Sequence, residues 1–256
     1  MQQNKAAILC TRPIDESLVK YASTKGVTID IIQFIRTEPI SSVEVQQEIE
    51  QTLLLPATVV FTSMNAVEAV ATELNEQNPG WKIYCTGNTT RQLVQKYFGD
   101  KCIAGTADNA VSLAELILNN KDIDEVFFFC GDQRRDELPA ILRRQNIEVI
   151  EIVVYQTIAV PQQLDKDYNG ILFFSPTAVE SFFRNNKAKD NTVLFAIGNT
   201  TANEIKKYLS ASPSQASAGK TGKTGSENKI IVSDEPGIKD LLEKAIHFFH
   251  INPIHY

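Results

Sequence analysis

The chain contains one structural unit twice. Residues 61–68, FTSMNAVE, match residues 173–180, FFSPTAVE, with Ser63 over Ser175. The tetrapeptide GNTT follows in each half, at 87–90 and 198–201, at nearly the same offset. Residues 108–118 and 235–245 fill the next equivalent slot more loosely. The opening segment, ILCTRP, a helical stretch and VTIDIIQFIRTEPI, matches FFFCGD, a helical stretch and EVIEIVVYQTIAV, with Thr37 over Thr157. One shared tetrapeptide lies within the false-positive range of short motifs. Four matched parts in a shared order do not. The repeat distance of about 110–120 residues is too long for a solenoid and fits a duplicated domain.

Within each copy, short runs rich in Val, Ile and Phe alternate with amphipathic helical stretches. AAILCT, ATVVFTS, WKIYCTG, EVFFFCG, GILFFS, TVLFAIG and KIIVSD each lead into such a stretch. Continuous apolar runs of this length indicate strands buried on both faces of a parallel sheet. The predicted fold class is α/β, with two similar parallel-sheet, flavodoxin-like domains. Residues 27–36 and 148–157 read as long strands that run on into Thr/Pro-containing turns, TEPISS and TIAVPQQ. As a two-stranded β linker they predict a discontinuous first domain, 1–36 with 155–256, and a second domain, 37–154.

Several function classes are disfavoured at once. A net charge of −6 is a poor basis for nucleic-acid binding, which depends on clustered Lys and Arg. No run approaches the roughly 20 apolar residues of a membrane span, and the first residues do not form a signal peptide, so a cytoplasmic protein is expected. The histidines, His247, His250 and His255, all fall within the last ten residues. That argues against Ser-His-Asp or Cys-His chemistry and against most zinc sites, and no metal is expected. Cys10, Cys85, Cys102 and Cys130 are widely spaced and read as buried thiols. Residues 210–228 are rich in Ser, Gly and Lys and read as a mobile loop. Its GKTGKT is a poor phosphate loop, because Ser217 stands where the motif needs glycine.

The polar residues that remain cluster where strands give way to helices: Thr62-Ser63, Gly87–Thr90, Ser175-Pro176-Thr177 and Gly198–Thr201. Unpaired N–H groups and the positive end of the helix dipole make such turns anion sites. Each also reads as a helix cap: Ser175 before Pro176, and Thr89 with Gln92 or Thr201 with Glu204 as capping boxes. Arg12, Arg91 and Arg134-Arg135 lie near these turns, and an arginine clamps a carboxylate in two-pronged fashion. Tyr155 is either a sheet aromatic or a phenol that donates a hydrogen bond or a proton.

CTRP, FTSMNAV, GNTT, GDQRRDELP, VVYQT, FFSPTAV and AIGNTT, in that order and over nearly the whole chain, resemble the uroporphyrinogen-III synthase family. The resemblance implies a cofactor-independent hydro-lyase, acting as a monomer. It would close the small-molecule substrate hydroxymethylbilane, a linear tetrapyrrole with eight carboxylates, into uroporphyrinogen III in tetrapyrrole and haem biosynthesis. By similarity, Tyr155 assists departure of the hydroxyl. Ser63, Thr90, Ser175, Thr200 and Thr201 line the substrate cleft between domains, and Arg12 and Arg135 meet carboxylates. The chain departs from the family pattern in the length of the 210–228 loop and in SDEPGIKDLL, where Pro-Thr is usual before the helix. A non-catalytic receptor for a polycarboxylate ligand would share the hydroxyl-rich turns. VYQT, placed between domains, and CTRP favour the enzyme.

Overall fold

A computed structural model describes residues 6–74, 77, 79–210, 228–235 and 237–251. Most of the 210–228 segment, with its GKTGKT sequence, and His255 lie outside the described residues. In chain order the first elements are β1 (Ala6–Cys10), α1 (Glu16–Thr24), β2 (Val27–Ile31), β3 (Ile35–Pro39), α2 (Val43–Leu53), β4 (Thr58–Phe61), α3 (Met64–Leu74), β5 (Lys82–Thr86) and α4 (Asn88–Phe98). β6 (Ile103–Ala107), α5 (Ala110–Leu118), β7 (Glu125–Gly131), α6 (Glu137–Arg144) and β8 (Glu148–Ala159) follow. The chain then forms β9 (Gly170–Phe173), α7 (Pro176–Asn185), β10 (Val193–Ala196), α8 (Asn199–Ser210), β11 (Ile230–Val232) and α9 (Ile238–Ile251).

The chain divides into two compact units, Met1–Arg36 with Ile158–Tyr256, and Thr37–Thr157. The first holds a parallel sheet of order β11-β10-β9-β1-β2. The other sheet has the order β3-β8-β7-β4-β5-β6, parallel from β8 to β6. β3 lies antiparallel to β8: the Ile40 N–H donates to the Val154 carbonyl at 2.9 Å and the Val160 N–H to the Phe34 carbonyl at 2.8 Å. Setting β3 aside, β8-β7-β4-β5-β6 takes the places of β2-β1-β9-β10-β11. This is the equivalence found when the sequence is aligned with itself. The second unit runs through the same spatial order from a different starting strand.

Each sheet separates two apolar cores, and alternation along the strands decides which residue enters which. In β4, Val59 and Phe61 join one core while Val60 joins the other. In β7, Phe127 and Phe129 oppose Val126, Phe128 and Cys130. β1 divides likewise, with Ile8 and Cys10 on one side and Leu9 on the other. Helices α3 and α4 cover one face of the second sheet and α5 and α6 the other. Helices α1 and α9 cover one face of the first sheet and α7 and α8 the other. Strands buried on both faces leave only their ends for polar chemistry.

Two sequence expectations are corrected. Residues 27–36 are not one strand: β2 stops at Ile31 and β3 begins at Ile35. Between them Phe34 turns fully into the core and packs on Phe182, with ring centroids 5.4 Å apart. Burial of a large ring is favourable by roughly 1.5–3 kcal/mol, which offsets the interrupted ladder. The two capping boxes are also absent. Helix α4 begins at Asn88 with Gly87 as its N-cap. α8 begins at Asn199, and the Ala202 N–H donates to the Gly198 carbonyl. Both threonines of each GNTT therefore sit inside the first turn. The expected cap at Ser175 is present: its hydroxyl accepts from the Ala178 N–H, with Pro176 as the first helical residue.

Phe129 stacks on Phe61 and packs against Trp81, fully buried. Phe129→Ala is expected to cost the second unit about 3–5 kcal/mol. Trp81 is the chain's one tryptophan, so a lowered urea midpoint in its fluorescence checks this.

Candidate active site

In the second unit the C-terminal ends of β4, β5 and β7, and β8 where it passes the end of β7, bring Ser63, Gly87–Thr90, the Gly131 turn and Tyr155 to one edge of the sheet. Ser63 follows β4, and its hydroxyl caps α3 by accepting from the Asn65 N–H at 3.2 Å. The same oxygen accepts the Tyr155 O–H at 3.1 Å. Both lone pairs of the serine oxygen are then engaged, and its own proton has no acceptor among the described residues. It points chemistry outward: a hydroxyl able to donate to a bound oxygen, backed by a phenol. Tyr155 is half-buried. Beside them the Thr86 hydroxyl donates to the Thr62 carbonyl at 3.2 Å, tying the β5 end to the β4 end.

The first unit has the equivalent edge. The buried Thr11 hydroxyl donates to the Leu172 carbonyl at 2.8 Å, joining the ends of β1 and β9. Arg12 follows, exposed, with its guanidinium 5.8 Å from the centre of the Phe174 ring. Ser175 caps α7 after β9, and Gly198–Thr201 opens α8 after β10. The turn after β11 is different. The Asp240 carboxylate accepts from the Ser233 hydroxyl and from the Asp234 N–H at 3.1 Å. These bonds, Ser233's above all, hold Asp240 below the usual carboxylate range. The SDEPGIKD sequence thus supplies its own anion at the start of α9.

The two GNTT turns are alike in detail. In each, Asn and the first Thr are exposed and the second Thr is buried, Thr90 to 7 % and Thr201 to 2 % exposure. Neither buried hydroxyl has a hydrogen-bond partner among the described residues, and neither is wholly shut off from solvent. A Cβ placed on Gly87 or Gly198 meets no atom within 4 Å, so the space in front of each helix start is open. They differ in backbone: Gly87 has φ +67°, a region that favours glycine, whereas Gly198 does not.

Of the arginines near these turns, Arg134 is committed to the protein. It pairs with Glu151, and with Asp136 at 3.0 Å. Arg12, Arg91 and Arg135 are exposed and have no acidic partner among the described residues. They are free to meet carboxylates. The thiols play no part in this edge: burial pushes Cys10, Cys85 and Cys130 up to about 11, and all four cysteines are free. Among the described residues no cluster of three metal-ligating side chains occurs, and no helix is long and apolar enough to cross a membrane. A cavity of about 350 Å³ lies at the opposite, N-terminal strand ends of the first sheet, lined by Lys166, Tyr168, Asn186 and Lys189 among others. Ligands of open α/β sheets bind at the carboxyl ends, which favours the hydroxyl-rich edges.

Two solved structures share the fold. Uroporphyrinogen-III synthetase from Helicobacter pylori superposes with a TM-score of 0.57 at 15% identity, over 95% of this chain and 99% of that one. A mutant uroporphyrinogen III synthase from the extremely thermophilic bacterium Thermus thermophilus gives 0.51 at 12% identity, over 96% and 99%. The family profile described as "Uroporphyrinogen-III synthase HemD" matches residues 16–217. With most of its length matched, and with both copies of the hydroxyl-rich turn inside the match, the chain belongs to the uroporphyrinogen-III synthase family.

Proposed function

We propose that this chain closes hydroxymethylbilane into uroporphyrinogen III with loss of water and inversion of the last pyrrole ring, and that Tyr155 assists departure of the hydroxyl. The observation that carries the reaction is the family match over residues 16–217. Support for the tyrosine is its bond to Ser63 at a strand-end edge. Ser63, Thr90 and Arg135 in the second unit, and Arg12, Ser175, Thr200 and Thr201 in the first, are the proposed substrate contacts. The two units are read as flavodoxin-like domains, 1–36 with 155–256 and 37–154, joined through β3 and β8. The shared strand order and the compact units, whose second boundary falls between Thr157 and Ile158, support a two-domain reading.

The chemistry asks little of the protein in acid–base strength. Electron density from the terminal pyrrole nitrogen expels the hydroxyl. A proton from Tyr155, directly or through Ser63, converts the leaving oxygen to water and leaves an azafulvenium carbon. The substituted α-carbon of the last ring attacks it and forms a spirocycle. The bond from that α-carbon to its original methylene breaks and re-forms at the other α-position. Loss of a proton to the tyrosinate restores the pyrrole. Control of which carbon attacks is a matter of holding the chain. A hundredfold preference needs about 2.7 kcal/mol of discrimination. Carboxylate contacts at helix starts contribute roughly 0.3–1 kcal/mol each, and up to ~2 when partly buried, so a few suffice.

Incubation with freshly made hydroxymethylbilane, followed by oxidation and chromatography, is expected to yield isomer III. Isomer I alone, as in the enzyme-free control, would refute the synthase reading. Tyr155→Phe is expected to slow turnover about tenfold to hundredfold with an unchanged urea midpoint; wild-type kinetics would remove the phenol from the mechanism. Gly87→Ala and Gly198→Ala each place a methyl where a carboxylate would approach, and each is expected to raise KM several-fold. Only Gly87→Ala should also cost stability, about 1 kcal/mol, because of its positive φ. A KM that moves for one variant alone would assign binding to that copy and leave the other as a helix start.

A further inference from the structure

Strand β8 does not keep a simple alternation. Val149 and Val153 face the core shared with α5 and α6, whereas Ile150, Ile152 and Val154 face the core shared with α3 and α4. Strict alternation would send Tyr155 to the side of Val153. Instead its ring packs with Val154's core and its hydroxyl reaches Ser63. The cause is a shift in register. Cys130 pairs with Val153, but Gly131 pairs with Tyr155, so Val154 is an extra residue on β8. A bulge of this kind turns the next side chain across the sheet.

Two residues hold the bulge. A Cβ on Gly131 would lie 2.3 Å from Tyr155 Cζ and 2.7 Å from its hydroxyl oxygen, so the ring occupies space that only glycine leaves open. Asp132 grips the strand on both sides of the tyrosine. Its N–H donates to the Tyr155 carbonyl at 3.1 Å, and its Oδ1 accepts the Thr157 N–H at 2.9 Å. The carboxylate replaces the ladder acceptor that β7, ending at Gly131, no longer supplies.

We propose that Gly131 and Asp132 form a clamp that aims Tyr155 at Ser63, with Asp132 as a positioning residue that need not touch substrate. Its bearing on turnover rests on the proposed role of Tyr155; its bearing on the ring does not. The test uses the full chain with 3-fluorotyrosine incorporated at position 155, read by 19F NMR, alongside steady-state kinetics of the unlabelled protein. Asp132→Ala is expected to move or split the resonance and to lower kcat at least tenfold, with KM within about twofold. Asp132→Asn, which keeps an oxygen acceptor, should recover most of both effects. In a Tyr155→Phe background, Asp132→Ala should lower kcat no further. An unchanged resonance in folded Asp132→Ala would overturn the clamp, as would a further loss in the Phe background comparable with that in the parent. A shifted resonance with unaltered turnover in both Asp132→Ala and Tyr155→Phe supports the clamp and refutes the catalytic reading of the tyrosine.

Discussion

Parallel pairing of strands buried on both faces is the constraint from which the rest follows. Two cores per sheet consume the alternating apolar residues of β1, β4, β5, β7, β9 and β10. The bodies of these strands are left with little room for polar chemistry. The carboxyl ends are left, where the next helix begins with unpaired N–H groups. There the chain concentrates Ser63, Thr90, Ser175, Thr200, Thr201 and Tyr155. A mildly acidic protein is compatible with the proposed polycarboxylate substrate, because helix starts carry positive potential locally.

Duplication provides the edge twice but does not use it identically. The two GNTT turns share exposure, an unpartnered buried threonine and open space before the helix. The last turn of the first unit is closed by its own Asp240. The sharpest divergence lies at the segments aligned through Thr37 and Thr157. In the second unit the strand continues through a bulge and presents Tyr155. In the first, the ladder breaks and Phe34 enters the core. With Thr37 over Thr157, Phe34 falls over Val154 and Tyr155 over Ile35, so the phenol at the edge belongs to one copy alone.

What could be read from residues alone is the α/β class, the repeat, the strand-to-helix turns and the Ser175 cap. All of these rest on local periodicity and on side chains acting over one helical turn. The failed capping boxes show the limit of that logic. Thr89 and Thr201 have the right spacing to Gln92 and Glu204, yet each preceding glycine starts its helix earlier. At α4 the positive φ of Gly87, not threonine's hydroxyl, marks the boundary.

Sequence by itself thus determined which residues gather at the strand ends, because burial of alternating apolar side chains is dictated by composition along each strand. Only the tertiary structure decided where Tyr155 points. Its direction depends on one extra residue in β8, on a glycine in the neighbouring strand that makes room for the ring, and on a carboxylate that replaces a missing ladder acceptor. Those partners lie more than twenty positions away in the chain, and period-two alternation read along β8 predicts the opposite face. A register shift is a property of two strands together, so it has no signature in either one.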